Sequence, residues 1–158
     1  MIELSTPCPI APYVPHADSM CLLDTLLEFN ADHLYADICP RADDLFADAQ
    51  GIPGWVGIEW MAQAVAAWSG VQAVEAGQPP AVGFLLGSRR YEAKVAYFAL
   101  GEPVRIEVFL DFRADNGLGA FRGQLLDQQG QLLASGTLNV YQPDSAEALA
   151  ALHKGDMP

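Results

Sequence analysis

Between Gln50 and Val74 the chain carries a single charged residue, Glu59, inside an apolar, alanine-rich stretch that reads PGWVGIEWMAQAVAAWSGVQAV. Ile58, Met61, Val65 and Trp68 fall at i, i+3, i+7 and i+10, while Trp60, Ala64, Ala67 and Val71 form a second apolar row. A helix with this pattern avoids water around nearly its whole circumference, so the rest of the fold must wrap it. The stretch is long enough to raise the question of a membrane span. Glu59, Gln63, Ser69 and Gln72 interrupt it and no Lys or Arg flanks it, so the expectation is a buried core helix. Gly77-Gln78-Pro79-Pro80 should stop that helix after about five turns.

The segments around it read as strands. Cys21 to Phe29 and His33 to Cys39 are apolar-rich runs separated by Asn30-Ala31-Asp32. Val104, Ile106, Val108, Leu110 and Phe112 alternate with Arg105, Glu107, Phe109, Asp111 and Arg113, a period of two. Asp115-Asn116-Gly117 and Asp127-Gln128-Gln129-Gly130 are turn signals, so residues 104–141 predict a three-stranded meander with Leu132, Ala134, Gly136, Leu138 and Val140 on one face. Residues 83–99 predict one more strand, bent near Gly87. The proline-rich segment Thr6 to Met20 predicts an ordered loop that delivers His16 just before the first strand. The expectation is an α+β chain, one domain over residues 1–158: a core of about 12–141 in which an antiparallel sheet curls around one long helix, and a loose tail over 143–158.

Composition narrows the function. At 158 residues and 51% hydrophobic content the chain can build a real core. Eight basic against 20 acidic side chains leave a net charge of −12, which argues against nucleic acid or an anionic membrane as partner. Cys8, Cys21 and Cys39 are odd in number and lack metal-ligand spacing, so reduced thiols, a cytoplasmic location and no metal are expected. The N-terminus does not read as a signal peptide.

Glu59 is the strongest functional lead. Its apolar neighbours Trp55, Ile58, Trp60 and Met61 disfavour a charged carboxylate, whereas a helix N-terminus favours one and presents N–H donors to an anion. The plain alternative is a first-turn glutamate complementing the helix dipole, worth about 0.3–1 kcal/mol. An acid/base group beside oriented N–H donors suits chemistry at a carbonyl.

Three segments together resemble the hotdog-fold 3-hydroxyacyl-(acyl-carrier-protein) dehydratases. Residues 15–24, PHADSMCLLD, are similar to that family's PHRxPFLLVD; residues 53–64, PGWVGIEWMAQA, to its PGVLxxEAxAQA; and residues 83–87, GFLLG, to its strand after the helix. The wording is closest to the variant dehydratase-like subgroup of aryl polyene-type pathways. The resemblance implies a hotdog fold and dehydration of 3-hydroxyacyl thioesters to trans-2-enoyl thioesters on acyl carrier protein, or from acyl-CoA, with no cofactor. It further implies paired sites in a homodimer or in a hetero-oligomer with another hotdog protein. Glu59 matches the family carboxylate. Gly54, near the N–H donors, and Phe46, a remnant of the family's HF, are read together with Trp55 and Gln63 as substrate-binding positions, and Gln63, one turn beyond Glu59, is also placed to hydrogen-bond it.

One departure is clear. The family's GHFPG histidine stands fourteen residues before its glutamate, and here that position is Leu45. His16, in the other matching motif, is the candidate replacement because imidazole titrates near neutral pH. Asp24 is read as an orienting group and His33 as structural. Ser69 and the cysteines have no base at motif spacing. Arg89 and Arg90, the one adjacent basic pair, are candidates for docking an acidic carrier protein. Two alternatives to a self-sufficient dehydratase stand: a non-catalytic hotdog partner subunit of an active dehydratase, and a hotdog acyl thioesterase using the carboxylate to activate water.

Overall fold

The computed structural model describes residues 4–15, 20–78 and 84–142, so the expectations for His16 and for the tail 143–158 lie outside the described residues. The apolar stretch forms α1, Gly57–Glu75, entered through a single 3-10 turn at Gly54–Val56. The strands are β1 (Cys8–Pro9), β2 (Thr25–Phe29), β3 (His33–Ile38), β4 (Ile52–Pro53), β5 (Phe84–Ala93), β6 (Tyr97–Phe98), β7 (Val104–Arg113), β8 (Leu118–Leu126) and β9 (Leu132–Tyr141). Seven of them form one antiparallel sheet in the order β1-β2-β3-β7-β8-β9-β5, and β4 pairs with β6 separately.

The helix packs against β3, β5, β7, β8 and β9. Both of its apolar rows are used: Trp60, Met61, Ala64, Ala67 and Val71 are at most 1% exposed. Each large apolar side chain buried this completely contributes on the order of 1.5–3 kcal/mol. Among the described residues one α-helix is held by one antiparallel sheet, which is the hotdog arrangement. Among the described residues no helix is long and apolar enough to cross a membrane.

The strands differ from the periodicity in four places. The first begins at Thr25 rather than Cys21, because Leu22 N–H donates to the Gln63 side chain and Asp24 N–H to the Asp37 carbonyl. In β7 Val104, Ile106 and Val108 are buried as read and Glu107 between them is buried too, paired with Arg105 and Gln124, but Phe112 is 57% exposed, at a bulge between Leu110 and Phe112 that shifts the register against β8. In β9 Ala134 and Leu138 are buried as read, yet Leu132 is exposed and Tyr141 buried. Finally, 84–99 is not one strand: β5 bends through bulges at Leu85/Gly87 and Ser88/Arg90 and ends at Ala93, while Tyr97–Phe98 pairs with Ile52–Pro53 at the entrance to the helix. That last pairing positions the site.

Candidate active site

The start of α1 is held from two sides. Pairing of Ile52 with Phe98 and Pro53 with Tyr97 brings the chain to Gly54, whose N–H donates to the Ala96 carbonyl at 2.8 Å. The Gly54 carbonyl oxygen accepts the Gly57 N–H and the Tyr91 hydroxyl, the latter at 2.6 Å. A side chain has no room here. A Cβ on Gly54 would press on the Val95 carbonyl oxygen at 2.5 Å, and one on Gly57 would collide with the Tyr91 hydroxyl. Burial pushes the Tyr91 phenol up to about 12, so it is a proton donor throughout the neutral range.

Gly54 N–H is therefore already engaged and does not serve as a free donor. The Gly54–Trp55 peptide is planar and trans, so with its C=O turned toward Tyr91 and Gly57 its N–H points the opposite way, out of the helix start.

Glu59 lies in the first turn of α1, where Cβ bonds tilt toward the helix N-terminus. It is half-buried on the wall of a cleft of about 160 Å³. Ala62, Ala66 and Ser69 continue that wall along the helix, and Leu85 of β5 and Gln142 face them. Ser69 Oγ donates to Gln142 Oε1 at 2.8 Å at the distal end. Pro15 borders the same cleft.

Gln63, one turn beyond Glu59, is fully buried. Its Oε1 accepts the Leu22 N–H at 2.9 Å and its Nε2 donates to the Met20 carbonyl at 2.7 Å. The same Nε2 is 3.5 Å from Glu59 Oε1, at the outer limit of a hydrogen bond. The amide thus clamps residues 20–22 against the helix beside Glu59.

The remaining expected residues spread out. Trp55 is 59% exposed and meets the half-buried Phe46 ring edge-on, with centroids 5.3 Å apart. Leu45 is exposed next to it. Asp24 orients backbone as expected: its Oδ2 accepts the Cys39 N–H at 2.8 Å and its Oδ1 meets Arg41 at 3.2 Å. His33 forms a surface pair with Glu28 at 2.7 Å and stacks on Tyr35. Arg89 and Arg90 are exposed on β5. Arg89 borders a separate groove with Phe112, Thr137 and Asn139, so the arginines share a strand with the Glu59 cleft but do not line it. Among the described residues no group of three His, Cys, Asp or Glu side chains converges to hold a metal.

Sequence reasoning missed Tyr91. It sits in no motif, between Arg90 and Glu92, and nothing local marks a tyrosine whose hydroxyl reaches a carbonyl 37 residues earlier.

Comparison with known proteins identifies the family and the fold. The family model for ApeP dehydratase, of the ApeP-like family, matches residues 8–151. No curated protein matches the chain. Among solved structures, the dehydratase heterocomplex ApeI:P from Xenorhabdus doucetiae is similar at 31% identity over 92% of this chain and 97% of that one, with a TM-score of 0.82. The protein smu.793 from Streptococcus mutans, bound to acetyl CoA, is similar at 13% identity over 74% and 86%, with a TM-score of 0.59. The PaaI protein from the E. coli phenylacetic acid degradation operon is similar at 13% over 73% and 80%, with a TM-score of 0.57. The two distant likenesses show the fold alone.

Proposed function

The chain belongs to the ApeP-like dehydratase family, and on that premise we propose that it serves as the Glu59-bearing unit of a dehydratase acting on 3-hydroxyacyl thioesters carried by acyl carrier protein. The observation that carries this reading is the position of Glu59 in the first turn of α1, on the wall of an open cleft. In the proposed reaction a base removes the proton on the carbon next to the thioester carbonyl. Glu59 gives a proton to the departing 3-hydroxyl, and water leaves behind a trans-2-enoyl thioester. Backbone N–H at the helix start stabilises the negative charge that develops on the carbonyl oxygen.

His16 is the proposed base. Pro15 and Met20, the described residues on either side of it, support this: Pro15 borders the Glu59 cleft and the Met20 carbonyl is tied to Gln63, one turn from Glu59. Trp55 and Phe46 are proposed to cover the mouth of the site, and Arg89 and Arg90 to receive the acidic carrier.

A second hotdog protein is the proposed partner. The relative at 31% identity is a heterocomplex, and the position of the family histidine is here the exposed Leu45. Strand β5 ends the sheet and carries Leu85 and Leu86, 43% and 46% exposed, at the edge bordering the cleft. Closing the sheet edge and the open side of the cleft with one partner satisfies both. The test incubates the purified chain, alone and mixed with its cognate hotdog partner, with a 3-hydroxyacyl carrier substrate, following enoyl absorbance and free thiol together. Enoyl formation supports the proposal. Thiol release without enoyl would instead mean a thioesterase.

A further inference from the structure

We infer that Tyr91 is a positioning residue for the thioester carbonyl: by holding the Gly54 carbonyl, it aims the Trp55 N–H out of the helix start as the donor to the substrate oxygen. The inference rests on the thioester reading above and adds a residue to it. Three observations carry it. The Tyr91 hydroxyl is 2.6 Å from Gly54 O, and that oxygen also accepts the Gly57 N–H, so both of its lone pairs are used and the peptide cannot rotate freely. On the other side of the same residue, Gly54 N–H is occupied by Ala96 O, which removes it from the donor set and leaves the Gly54–Trp55 peptide as the one Tyr91 aims. Gly57 lacks a side chain where the Tyr91 hydroxyl sits, so the local sequence leaves space for this hydroxyl.

A donor aimed before the substrate arrives is worth more than one that must reorganise, because the charge it meets develops only in the transition state. Tyr91 is not itself in reach of the reacting atoms on this account. It acts through one peptide. Its position on β5 also ties the helix start to the sheet-edge strand that carries Leu85, Arg89 and Arg90.

The test replaces Tyr91 with Phe, which keeps the ring and removes the oxygen. Wild type and Tyr91→Phe, each as the full chain with its hotdog partner, are loaded with an enoyl pantetheine thioester labelled with ¹³C at the carbonyl. The carbonyl stretch is read by difference infrared spectroscopy. The stretch should fall in frequency on binding to wild type and fall measurably less in Tyr91→Phe, with kcat for dehydration lower by about tenfold and KM little changed. An equal downshift in both proteins overturns the role of Tyr91 and leaves the thioester reading standing. Absence of any downshift in wild type overturns both. Tyr91→Leu, which removes ring and oxygen together, separates packing from positioning: a downshift lost in Leu but retained in Phe also overturns the inference.

Discussion

Gln63 holds Leu22 from 41 residues away: its buried side chain accepts the Leu22 N–H at 2.9 Å while the same amide donates to the Met20 carbonyl at 2.7 Å. Replacing Gln63 with Leu keeps much of the volume and abandons both backbone groups. The expected cost is on the order of 1–3 kcal/mol in urea unfolding, since a buried polar group left without its partner loses its full desolvation energy. Dehydration should fall as well, because Met20 stands only four positions after His16, the proposed base. An unfolding midpoint equal to wild type would show that water replaces the amide without loss.

Gly57→Ala should destabilise the chain, because the new methyl group meets the Tyr91 hydroxyl and lies 2.7 Å from Leu125 Cδ1. Overpacking of this kind typically costs about 1–3 kcal/mol. Adding Tyr91→Phe removes one of the two colliding atoms, so the double variant should recover part of the loss. A double-mutant cycle on unfolding free energies reads the coupling directly, and strict additivity would mean that the helix start moves away from Tyr91 instead.

Much of this architecture is legible in the sequence because the central helix has only one solution. A nearly all-apolar helix with Trp60 and Val71 in one buried row and Met61 and Val65 in another demands a sheet around it, and the two turns at 115–117 and 127–130 place three of its strands. Glu59 is legible for the same reason, as the one charge in an apolar run. What the sequence conceals are contacts that join distant segments through single atoms. The bulge that exposes Phe112, the pairing of Tyr97–Phe98 with Ile52–Pro53 and the Tyr91 bond to Gly54 each depend on tertiary placement, which local periodicity does not encode.

Stability in alkali should report on Tyr91. Burial raises its phenol from 10.0 to about 12, so between those values the folded state keeps a proton that the unfolded chain has released. Stability attributable to this group is complete below pH 10 and declines as pH rises toward 12. Urea midpoints measured across that window should fall less steeply in Tyr91→Phe than in wild type. Identical slopes would show that the hydroxyl titrates as though exposed.

Charge reversal at Arg89 and Arg90 should separate the carrier from the chemistry. These exposed arginines lie on β5 away from the Glu59 cleft. The double change to Glu is expected to raise KM for a carrier-bound substrate by about tenfold, with steeper losses at low salt, and to leave KM for the matching pantetheine thioester unchanged. Equal effects on both substrates would place the arginines at the acyl site, and no effect on either would remove them from docking.

The most direct measurement is the dehydration rate of Glu59→Gln, assayed alone and in complex with the cognate hotdog partner, beside a thermal melt of each protein. A role for Glu59 as general acid predicts a fall in kcat of about 10²–10⁴-fold with the melting temperature little changed. A complex that keeps the full wild-type rate with Gln at position 59 would contradict the account, and would make this chain a structural partner to a site that lies elsewhere.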